Sequence, residues 1–314
     1  MKRVLASICA AALALSLAAC SSTASSSESS SAAEESSSAA STTEESSAAS
    51  DESTGASGSI TVVTREDGSG TRSAFIELTG VETDEGDMTI ATAQVANSTN
   101  NVMTSVQAEP SAIGYISMGS LNETVKGIAV DGVEPTTDNV KAGTYPISRP
   151  FNIVTKGDIS AQDELTQDFV NWVMSADGQA ICTEEGYIGD DAAEAYTSTQ
   201  PSGSLAVGGS SSVSPVMEKL IETYMADVNP NASIDLQTTD STNGVTGALD
   251  GTYQVGMASR AISDDEASQG AVSTQLAMDG IAVIVNTENA VSNISMDSLR
   301  GIYTGEVTDW ADVQ

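Results

Sequence analysis

The sequence contains no histidine and only three cysteines, Cys9, Cys20 and Cys182. Histidine is the most common general base and zinc ligand, so its absence weighs against acid–base catalysis and against a metal site. A serine hydrolase built on Ser69 or Ser211 is an alternative, but no lysine adjoins either serine to activate it. We therefore expect no catalytic residue, no metal and no cofactor.

Basic residues are also scarce. The chain has 11 Lys and Arg against 44 Asp and Glu, which gives a formal net charge of −33. A field of this sign repels nucleic acid and anionic lipid, so neither is expected as a partner. An anionic ligand would have to be bound by local dipoles, because the overall field opposes it.

The N-terminus has the features of a bacterial secretion signal. Lys2 and Arg3 precede an apolar run, residues 4–15, that is too short to span a bilayer permanently. The run leads into Leu17-Ala18-Ala19-Cys20, which resembles the processing site of lipoproteins. We predict a signal peptide over residues 1–20 with lipid attached to Cys20. An ordinary secretory signal with an incidental cysteine is the alternative.

This processing would leave Cys182 as the single thiol and exclude an internal disulfide. Residues 21–57 are almost entirely Ser, Ala, Thr, Glu and Asp, with no aromatic or branched aliphatic side chain, which predicts a disordered tether. The expected location is therefore extracytoplasmic, anchored only by lipid to the outer face of the cytoplasmic membrane.

Short apolar segments alternate with helical patterns in residues 58–314, which predicts an α/β fold. Helical spacing is clear in residues 165–173, and Asp177-Gly178 is expected to end or interrupt that helix. Residues 82–101 show no firm pattern, and residues 190–203 form a polar join. The clearest strands are predicted near residues 60–63, 112–116, 125–130, 145–154, 205–207, 234–237, 255–258 and 281–286.

The most informative stretch is Arg65-Glu66-Asp67-Gly68-Ser69-Gly70-Thr71-Arg72, between a predicted strand and a predicted helix. Its glycines allow close approach of the backbone, and a helix N-terminus offers free N–H groups and a positive dipole. Ser69 and Thr71 add hydroxyl donors. Arg65 offers a planar fork suited to a tetrahedral anion, and Asp67 is expected to hold its guanidinium. A plain strand-turn-helix corner with Ser69 as N-cap is the alternative.

Three further corners place hydroxyls at strand ends. Residues 208–212 lead into a helix that begins at Ser214-Pro215, residues 240–244 lead into another helix, and residues 255–260 end a strand in polar groups. Each corner alone is typical of ordinary turn chemistry. Together they predict a crevice at the carboxyl edge of a sheet.

Two sets of motifs are shared with a known family. One set lies in residues 60–187 and comprises the Arg-x-x-Gly-Ser-Gly-Thr corner, Ile113-Gly114-Tyr115, residues 145–150 and Gly178-Gln179. The other lies in residues 205–313 and comprises residues 209–215, 256–260, 279–280, 303–306 and Trp310. They resemble, respectively, the second and first halves of the phosphate-binding lipoproteins of the bacterial high-affinity phosphate ABC transporter.

The halves therefore stand in swapped order relative to that family. One interpretation is a circular permutant in which the old termini are joined through residues 190–203. The other is a cut fragment of a tandem array, with half of one copy followed by half of the next.

The resemblance implies an α/β, two-lobed periplasmic-binding-protein-like fold of type II. Each lobe is a mixed sheet flanked by helices, and the ligand binds in the cleft between them. Two crossing strands are expected near residues 145–154 and 281–286. One lobe would comprise residues 58–149 plus 284–314, and the other residues 150–283.

The resemblance also implies the ligand-binding residues. Phosphate would be bound from one lobe by Arg65, Ser69, Gly70 and Thr71, and from the other by Ser211, the Ser212 N–H, Ser241 and Ser259. Well-known members have an aspartate where Ser259 stands, and that carboxylate accepts the proton that phosphate carries and sulfate lacks. Ser259 cannot repel sulfate in this way. Asp279 is a candidate substitute acceptor, with a turn at a strand end as its alternative role.

The implied function is a non-enzymatic, monomeric receptor that captures inorganic phosphate and delivers it to ABC permease subunits. One alternative is the same fold binding another oxyanion, such as sulfate or molybdate. Another is a surface interaction or sensory protein that has lost transport.

Overall fold

The computed structural model describes residues 58–313. The predicted signal peptide, Cys20 and the tether over residues 21–57 lie outside them. None of the helices in the described part of the chain has the length and apolar character needed to cross a bilayer.

Strands and helices alternate along the described residues. The strands are β1 (Thr61–Arg65), β2 (Glu82–Thr83), β3 (Gly86–Asp87), β4 (Gln94–Ala96), β5 (Ala112–Ser117), β6 (Lys126–Val130), β7 (Ser148–Lys156), β8 (Gly203–Ser210), β9 (Ala232–Thr239), β10 (Val255–Ala258), β11 (Ala271–Val285) and β12 (Asn293–Ile294). The α-helices are α1 (Gly70–Thr79), α2 (Thr99–Ala108), α3 (Thr137–Lys141), α4 (Glu164–Val173), α5 (Ala176–Glu184), α6 (Ser214–Thr223), α7 (Ser241–Asp250), α8 (Asp264–Ser268) and α9 (Met296–Thr304).

The main sheet is mixed and has the strand order β4-β1-β5-β11-β7-β10-β8-β9. At one end β1 is parallel to β4 and β5, and at the other β8 is parallel to β9 and β10. Between them, β11 is antiparallel to both β5 and β7. β6 pairs with β11 and β12, and β2 with β3 forms a separate hairpin. Parallel strands at each end are thus separated by antiparallel strands in the middle.

β11 connects the two ends of the sheet. Its residues 271–280 pair with β7, and its residues 281–285 pair with β5. The predicted strand near residues 281–286 is therefore the second part of a longer strand. The first part was missed because it contains the polar residues Ser273-Thr274-Gln275 and Asp279-Gly280, whereas residues 281–285 are all apolar and buried.

The apolar core forms clusters on either side of this crossing. The largest cluster contains residues from 62–147 and 281–310, and we call this part the Arg65 lobe. The other clusters contain residues from 151–277, and we call this part the Ser259 lobe. Cys182 is free and buried in the Ser259 lobe, and burial raises the pKa of its thiol to about 12.

The helix predicted over residues 165–173 is α4, but its predicted end was wrong. α4 ends at Val173, and Asp177 and Gly178 lie in the first turn of α5. A Cβ atom on Gly178 would lie 2.3 Å from the Val173 carbonyl oxygen. Glycine is therefore needed here for close packing of α5 against the end of α4, and not to stop a helix.

The polar join between the sequence halves is held by Asp168 of α4. The Asp168 carboxylate accepts hydrogen bonds from the Tyr196 hydroxyl at 3.0 Å, the Ser198 hydroxyl at 2.5 Å and the Thr199 N–H at 2.8 Å. The Tyr224 hydroxyl, at the end of α6, donates to the same carboxylate at 2.6 Å. Asp168 is 2% exposed, so these bonds are made away from water.

Replacing Asp168 by asparagine is expected to lower the free energy of unfolding by about 2 kcal/mol, because a neutral amide weakens several charge-assisted hydrogen bonds. Urea denaturation at neutral pH measures the change. The same substitution at Asp177, an exposed residue of α5, is the control and should change stability by less than about 0.5 kcal/mol. Equal effects at the two positions would contradict the role given to Asp168.

The Asp168 contribution should also depend on pH. Burial alone raises the pKa of this carboxyl, but hydrogen bonds from Ser198, Tyr224, Thr199 and Tyr196 outweigh burial and hold the pKa below its usual value. A lowered folded-state pKa means that the stabilisation is complete above the ordinary aspartate pKa and is lost as pH falls through the lowered one. The stability difference between the wild type and Asp168→Asn should therefore shrink in acid.

Candidate oxyanion site between the lobes

Four helix N-termini meet where the lobes face each other. The Arg65 lobe contributes the first residues of α1 and α2, and the Ser259 lobe contributes those of α6 and α7. The first N–H groups of a helix have no partner within it, and the dipole makes this end positive. Such an arrangement gives an acidic protein a local region that attracts an anion.

The corner before α1 is built as the sequence predicts. β1 ends at Arg65, Gly68 turns the chain with φ 87°, and α1 begins at Gly70. Ser69 is the N-cap, and its hydroxyl accepts from the Arg72 N–H at 3.4 Å. Beneath the corner, the Tyr115 hydroxyl accepts from the Arg65 N–H at 3.2 Å. The backbone of the corner is therefore fixed from within the Arg65 lobe.

The partner expected for the Arg65 guanidinium was wrong. Glu66, and not Asp67, is the carboxylate that accepts from this guanidinium, with hydrogen bonds from Nε and Nη2 at 2.7 Å each. Asp67 lies beyond the strand end with its side chain 99% exposed, and it pairs with Arg72 at 2.8 Å. Arg72 also donates to the Arg65 carbonyl oxygen at 3.0 Å and pairs with Asp87. Arg72 thus supports the corner from outside the cleft.

The hydroxyls of the Ser259 lobe form a connected cluster. Ser210 donates to the Ser259 hydroxyl at 2.9 Å, and the Ser259 N–H donates to the Ser241 hydroxyl at 3.0 Å. The Ser212 N–H, a predicted ligand group, donates to the Ser210 hydroxyl at 3.3 Å. Ser211, Ser212, Ser241 and Ser259 are all buried. Neighbouring hydroxyls thus fix one another in place before any ligand is considered.

The predicted residues of the two lobes are in direct contact. Arg65 Nη2 donates to the Ser211 hydroxyl at 3.1 Å, and the Thr71 and Ser212 hydroxyls are 2.8 Å apart. A Cβ atom on Gly70 would lie 2.3 Å from Ser241 Oγ and 2.9 Å from Ser259 Oγ. The structure therefore brings Arg65, Ser69, Gly70 and Thr71 together with Ser211, Ser212, Ser241 and Ser259.

Thr99 belongs to the same cluster but was not predicted. It is the first residue of α2, and its hydroxyl lies 3.2 Å from Ser212 Oγ and 3.4 Å from Ser211 Oγ. The available signal was Ser98-Thr99 followed by Val102 and Val106 at helical spacing, a typical helix start. A cavity of about 200 Å³ adjoins Thr99 and Ser211 along the cleft.

Asp279 is buried near the cleft but is occupied by other groups. Arg149 donates to Asp279 Oδ2 from Nε at 3.2 Å and from Nη2 at 3.1 Å, and the Ser117 hydroxyl donates to Oδ1 at 2.9 Å. Burial raises the pKa of Asp279 to about 6, although the Arg149 charge and the Ser117 hydrogen bond lower it in part. In this structure Asp279 is the partner of an arginine, and no contact joins it to the predicted ligand residues directly.

No group of three or more His, Cys, Asp or Glu side chains within residues 58–313 is arranged to hold a metal ion. The chemistry of the cluster is that of hydrogen-bond donors around one arginine. Serine and threonine hydroxyls, helix N–H groups and a guanidinium suit a tetrahedral oxyanion.

Comparison with known proteins agrees with this geometry. A model of the PBP superfamily domain matches residues 31–177 and 194–314. "Phosphate-binding protein PstS 2" of Streptococcus agalactiae is 46% identical over 266 residues, which cover 83% of this chain and 90% of that protein. The crystal structure of the phosphate-binding protein of a phosphate ABC transporter from Streptococcus pneumoniae TIGR4 is 41% identical, with a TM-score of 0.66, and the match covers 82% of this chain and 100% of that one.

Another relative matches a much smaller part of this chain. "Phosphate-binding protein PstS" of Bacillus subtilis is 36% identical over 141 residues, 44% of each chain. The family matches confirm the predicted α/β two-lobed fold, and the long alignments confirm the resemblance drawn from the motifs. The chain belongs to the PBP superfamily and, within it, to the family of PstS phosphate-binding proteins.

Proposed function

We propose that this chain binds inorganic phosphate between its two lobes, with Arg65, Ser69, Gly70, Thr71, Ser211, Ser212, Ser241 and Ser259 as ligand residues. The observation that carries the proposal is that the starts of four helices meet across the cleft, where the buried Arg65 guanidinium donates to Ser211. Each charge-assisted hydrogen bond to an anion enclosed there contributes about 1.5 to 3 kcal/mol. Thr99 adds a donor to the same set.

The proposed physiological role is delivery of phosphate to ABC permease subunits, without covalent chemistry. The relatives named for phosphate binding and phosphate ABC transport support this role. We propose further that the protein is a monomer outside the cytoplasmic membrane, anchored by lipid on Cys20 through the tether of residues 21–57. A chain of this acidity gains little from direct contact with anionic lipid.

We propose two lobes in a circularly permuted order, predicted as residues 58–149 plus 284–314 and residues 150–283. The apolar core moves one boundary, because residues 281–283 pack in the Arg65 lobe. The extents of the matches support this order. One alignment with the Streptococcus agalactiae protein runs through both sequence halves, whereas the Bacillus subtilis alignment spans 44% of each chain. A swapped order limits a continuous alignment to one half. The tandem-fragment alternative would require the same order of halves in that relative, 90% of which is covered by the match.

Selectivity for phosphate over other oxyanions depends on which hydrogen-bond acceptors the site contains. The Ser259 hydroxyl accepts a hydrogen bond from Ser210 and lies 3.3 Å from the Ser241 hydroxyl, so its neighbours within the site are hydroxyls and not a carboxylate. Glu66 and Asp279, the carboxylates beside the site, both bind arginines. A site made of donors does not require a proton on its ligand, and sulfate or molybdate is therefore the second candidate.

Calorimetric titration with phosphate, repeated in excess sulfate and in excess molybdate, tests the function and its selectivity. We expect tight phosphate binding at one site per chain, and partial competition by sulfate. Binding of sulfate or molybdate alone would support the alternative oxyanion. No binding of any of the three by the folded protein would support a surface or sensory role.

A further inference from the structure

A buried ion pair lies between the two crossing strands. Arg149 of β7 and Asp279 of β11 face each other across the antiparallel pair. Their side chains are 1% and 0% exposed, and two hydrogen bonds join the guanidinium to Asp279 Oδ2. The Asp279 carboxylate makes no hydrogen bond to a proposed ligand residue. The Nε and Nη2 atoms of Arg149 bind Asp279 and make no such bond either.

The third nitrogen of Arg149 connects the pair to the ligand site. Nη1 donates to the Ser259 carbonyl oxygen at 3.2 Å. Ser259 follows β10 directly, and both its N–H and its hydroxyl belong to the hydroxyl cluster. The Arg149 fork therefore fixes the backbone of a proposed ligand residue at the point where its strand ends.

The same pair also contacts the opposite lobe. Ser117, which donates to Asp279 Oδ1, is the last residue of β5 in the Arg65 lobe. A chain of bonds thus runs from Ser117 through Asp279 and Arg149 to Ser259. Its middle members stand on the strands that cross between the lobes.

Stability alone is a poor explanation for this pair. Burial lowers the pKa of Arg149 and raises that of Asp279, which shows that each charge has lost much of its hydration. Well-packed apolar residues often replace a buried ion pair without loss of stability. A fork with fixed geometry is needed where a backbone carbonyl must be held in place.

We propose that Arg149 is a positioning residue for the anion site, which sets the place of Ser259 through its carbonyl while Asp279 and Ser117 orient the guanidinium. This inference rests on the proposed function, because it assigns Arg149 a part in anion affinity without contact with the anion.

The test is Arg149→Lys, which keeps the charge opposite Asp279 but replaces the fork with a single ammonium group. Phosphate affinity should fall about tenfold, which corresponds to one hydrogen bond to a charged group. Arg260→Lys is the matched control, because Arg260 adjoins Ser259 but makes its two-bond ion pair with Glu266, away from the Ser259 carbonyl oxygen. The control should retain the affinity of the wild type.

Hydrogen exchange at the Ser259 amide gives a readout that needs no phosphate. This amide donates to Ser241, and Arg149→Lys should accelerate its exchange several-fold in ligand-free protein while Arg260→Lys does not. Failure of the wild type to bind phosphate would count against the proposed function, and the exchange result would still decide the positioning role. Unchanged exchange in Arg149→Lys overturns that role.

The double variant Arg149→Met with Asp279→Leu removes both charges. It provides a second test in case Arg149→Lys does not fold, because apolar residues often replace a buried ion pair without loss of stability. If the pair is only structural, the folded double variant should bind phosphate as the wild type does and show the same exchange at Ser259. If Arg149 positions Ser259, affinity should fall and exchange should accelerate in the folded double variant too. If the double variant has the phosphate affinity of the wild type and the same exchange rate at the Ser259 amide, the proposal is overturned, even where Arg149→Lys does not fold.

Discussion

Arg65→Ala is expected to weaken phosphate binding at least about a hundredfold, because two charge-assisted hydrogen bonds to an enclosed anion contribute roughly 3 to 6 kcal/mol together. Arg65 is 2% exposed and points from the end of β1 to Ser211 of the opposite lobe. Its removal also leaves the Glu66 carboxylate without a counter-charge beside the anion. Calorimetric titration measures the loss directly.

Arg72→Ala is the matched control for Arg65→Ala. Arg72 stands seven residues away and carries the same charge, but it pairs with Asp67 and Asp87 outside the cleft. We expect a loss of affinity below about fivefold, because the variant removes two partly exposed ion pairs and the support of the Arg65 carbonyl, and no contact with the anion. Equal losses in the two variants would show that Arg65 acts through general charge and not through contact with the anion.

Gly70→Ala is expected to abolish measurable phosphate binding while the protein stays folded. The added Cβ would lie 2.3 Å from Ser241 Oγ and 2.9 Å from Ser259 Oγ, both on the other lobe. Moving the lobes apart relieves this clash. The substitution should therefore raise the free energy of closing the cleft without destabilising the core of either lobe. A second effect is that alanine covers the backbone where an anion must approach.

Glu77→Ala tests whether the Gly70 effect is specific. Glu77 lies on the same helix, α1, and is exposed. Thermal unfolding and phosphate titration of both variants separate folding from binding. We expect Glu77→Ala to bind as the wild type does. Wild-type affinity in Gly70→Ala would mean that phosphate binds without the contact between α1 and the serines of the Ser259 lobe.

The proposed ligand residues were named through the family resemblance, and their grouping could be predicted because each stands at a strand end or a helix start. Gly70, Ser211 and Ser241 each come after a segment predicted as a strand and before apolar residues at helical spacing, and such a corner places its polar groups at one edge of a sheet. Thr99 has the same kind of helix start. It was missed because β4, the strand before it, has three residues, two of them exposed.

The ionic partners within the site were not accessible from sequence. Whether Arg65 pairs with Glu66 or Asp67 depends on the direction that the chain takes at Gly68, where φ is 87°. The turn leaves the Asp67 side chain in solvent. Neighbouring acidic residues give the same sequence pattern for either outcome, so only the folded geometry distinguishes them.

The pairing of Asp279 with Arg149 could not be predicted from the sequence for a different reason. Asp279 and Arg149 are 130 residues apart in the sequence, and they lie opposite each other because of the register in which β7 and β11 pair. That register includes an irregularity between Gln275 and Ala277. Pattern and propensity do not determine the pairing of strands so distant in sequence. Asp279 as a free acceptor for the ligand was therefore a reasonable hypothesis until the register was known.

The most direct measurement is a crystal structure of this protein grown with phosphate. We expect one tetrahedral anion between the lobes, with the Arg65 guanidinium, Ser69 and Thr71 on one side and Ser211, Ser241 and Ser259 on the other. The N–H groups at the start of α1 should point at the anion, and the Glu66 carboxylate should still hold Arg65. Phosphate bound elsewhere, or bound in the cleft without Arg65, would contradict the proposed site.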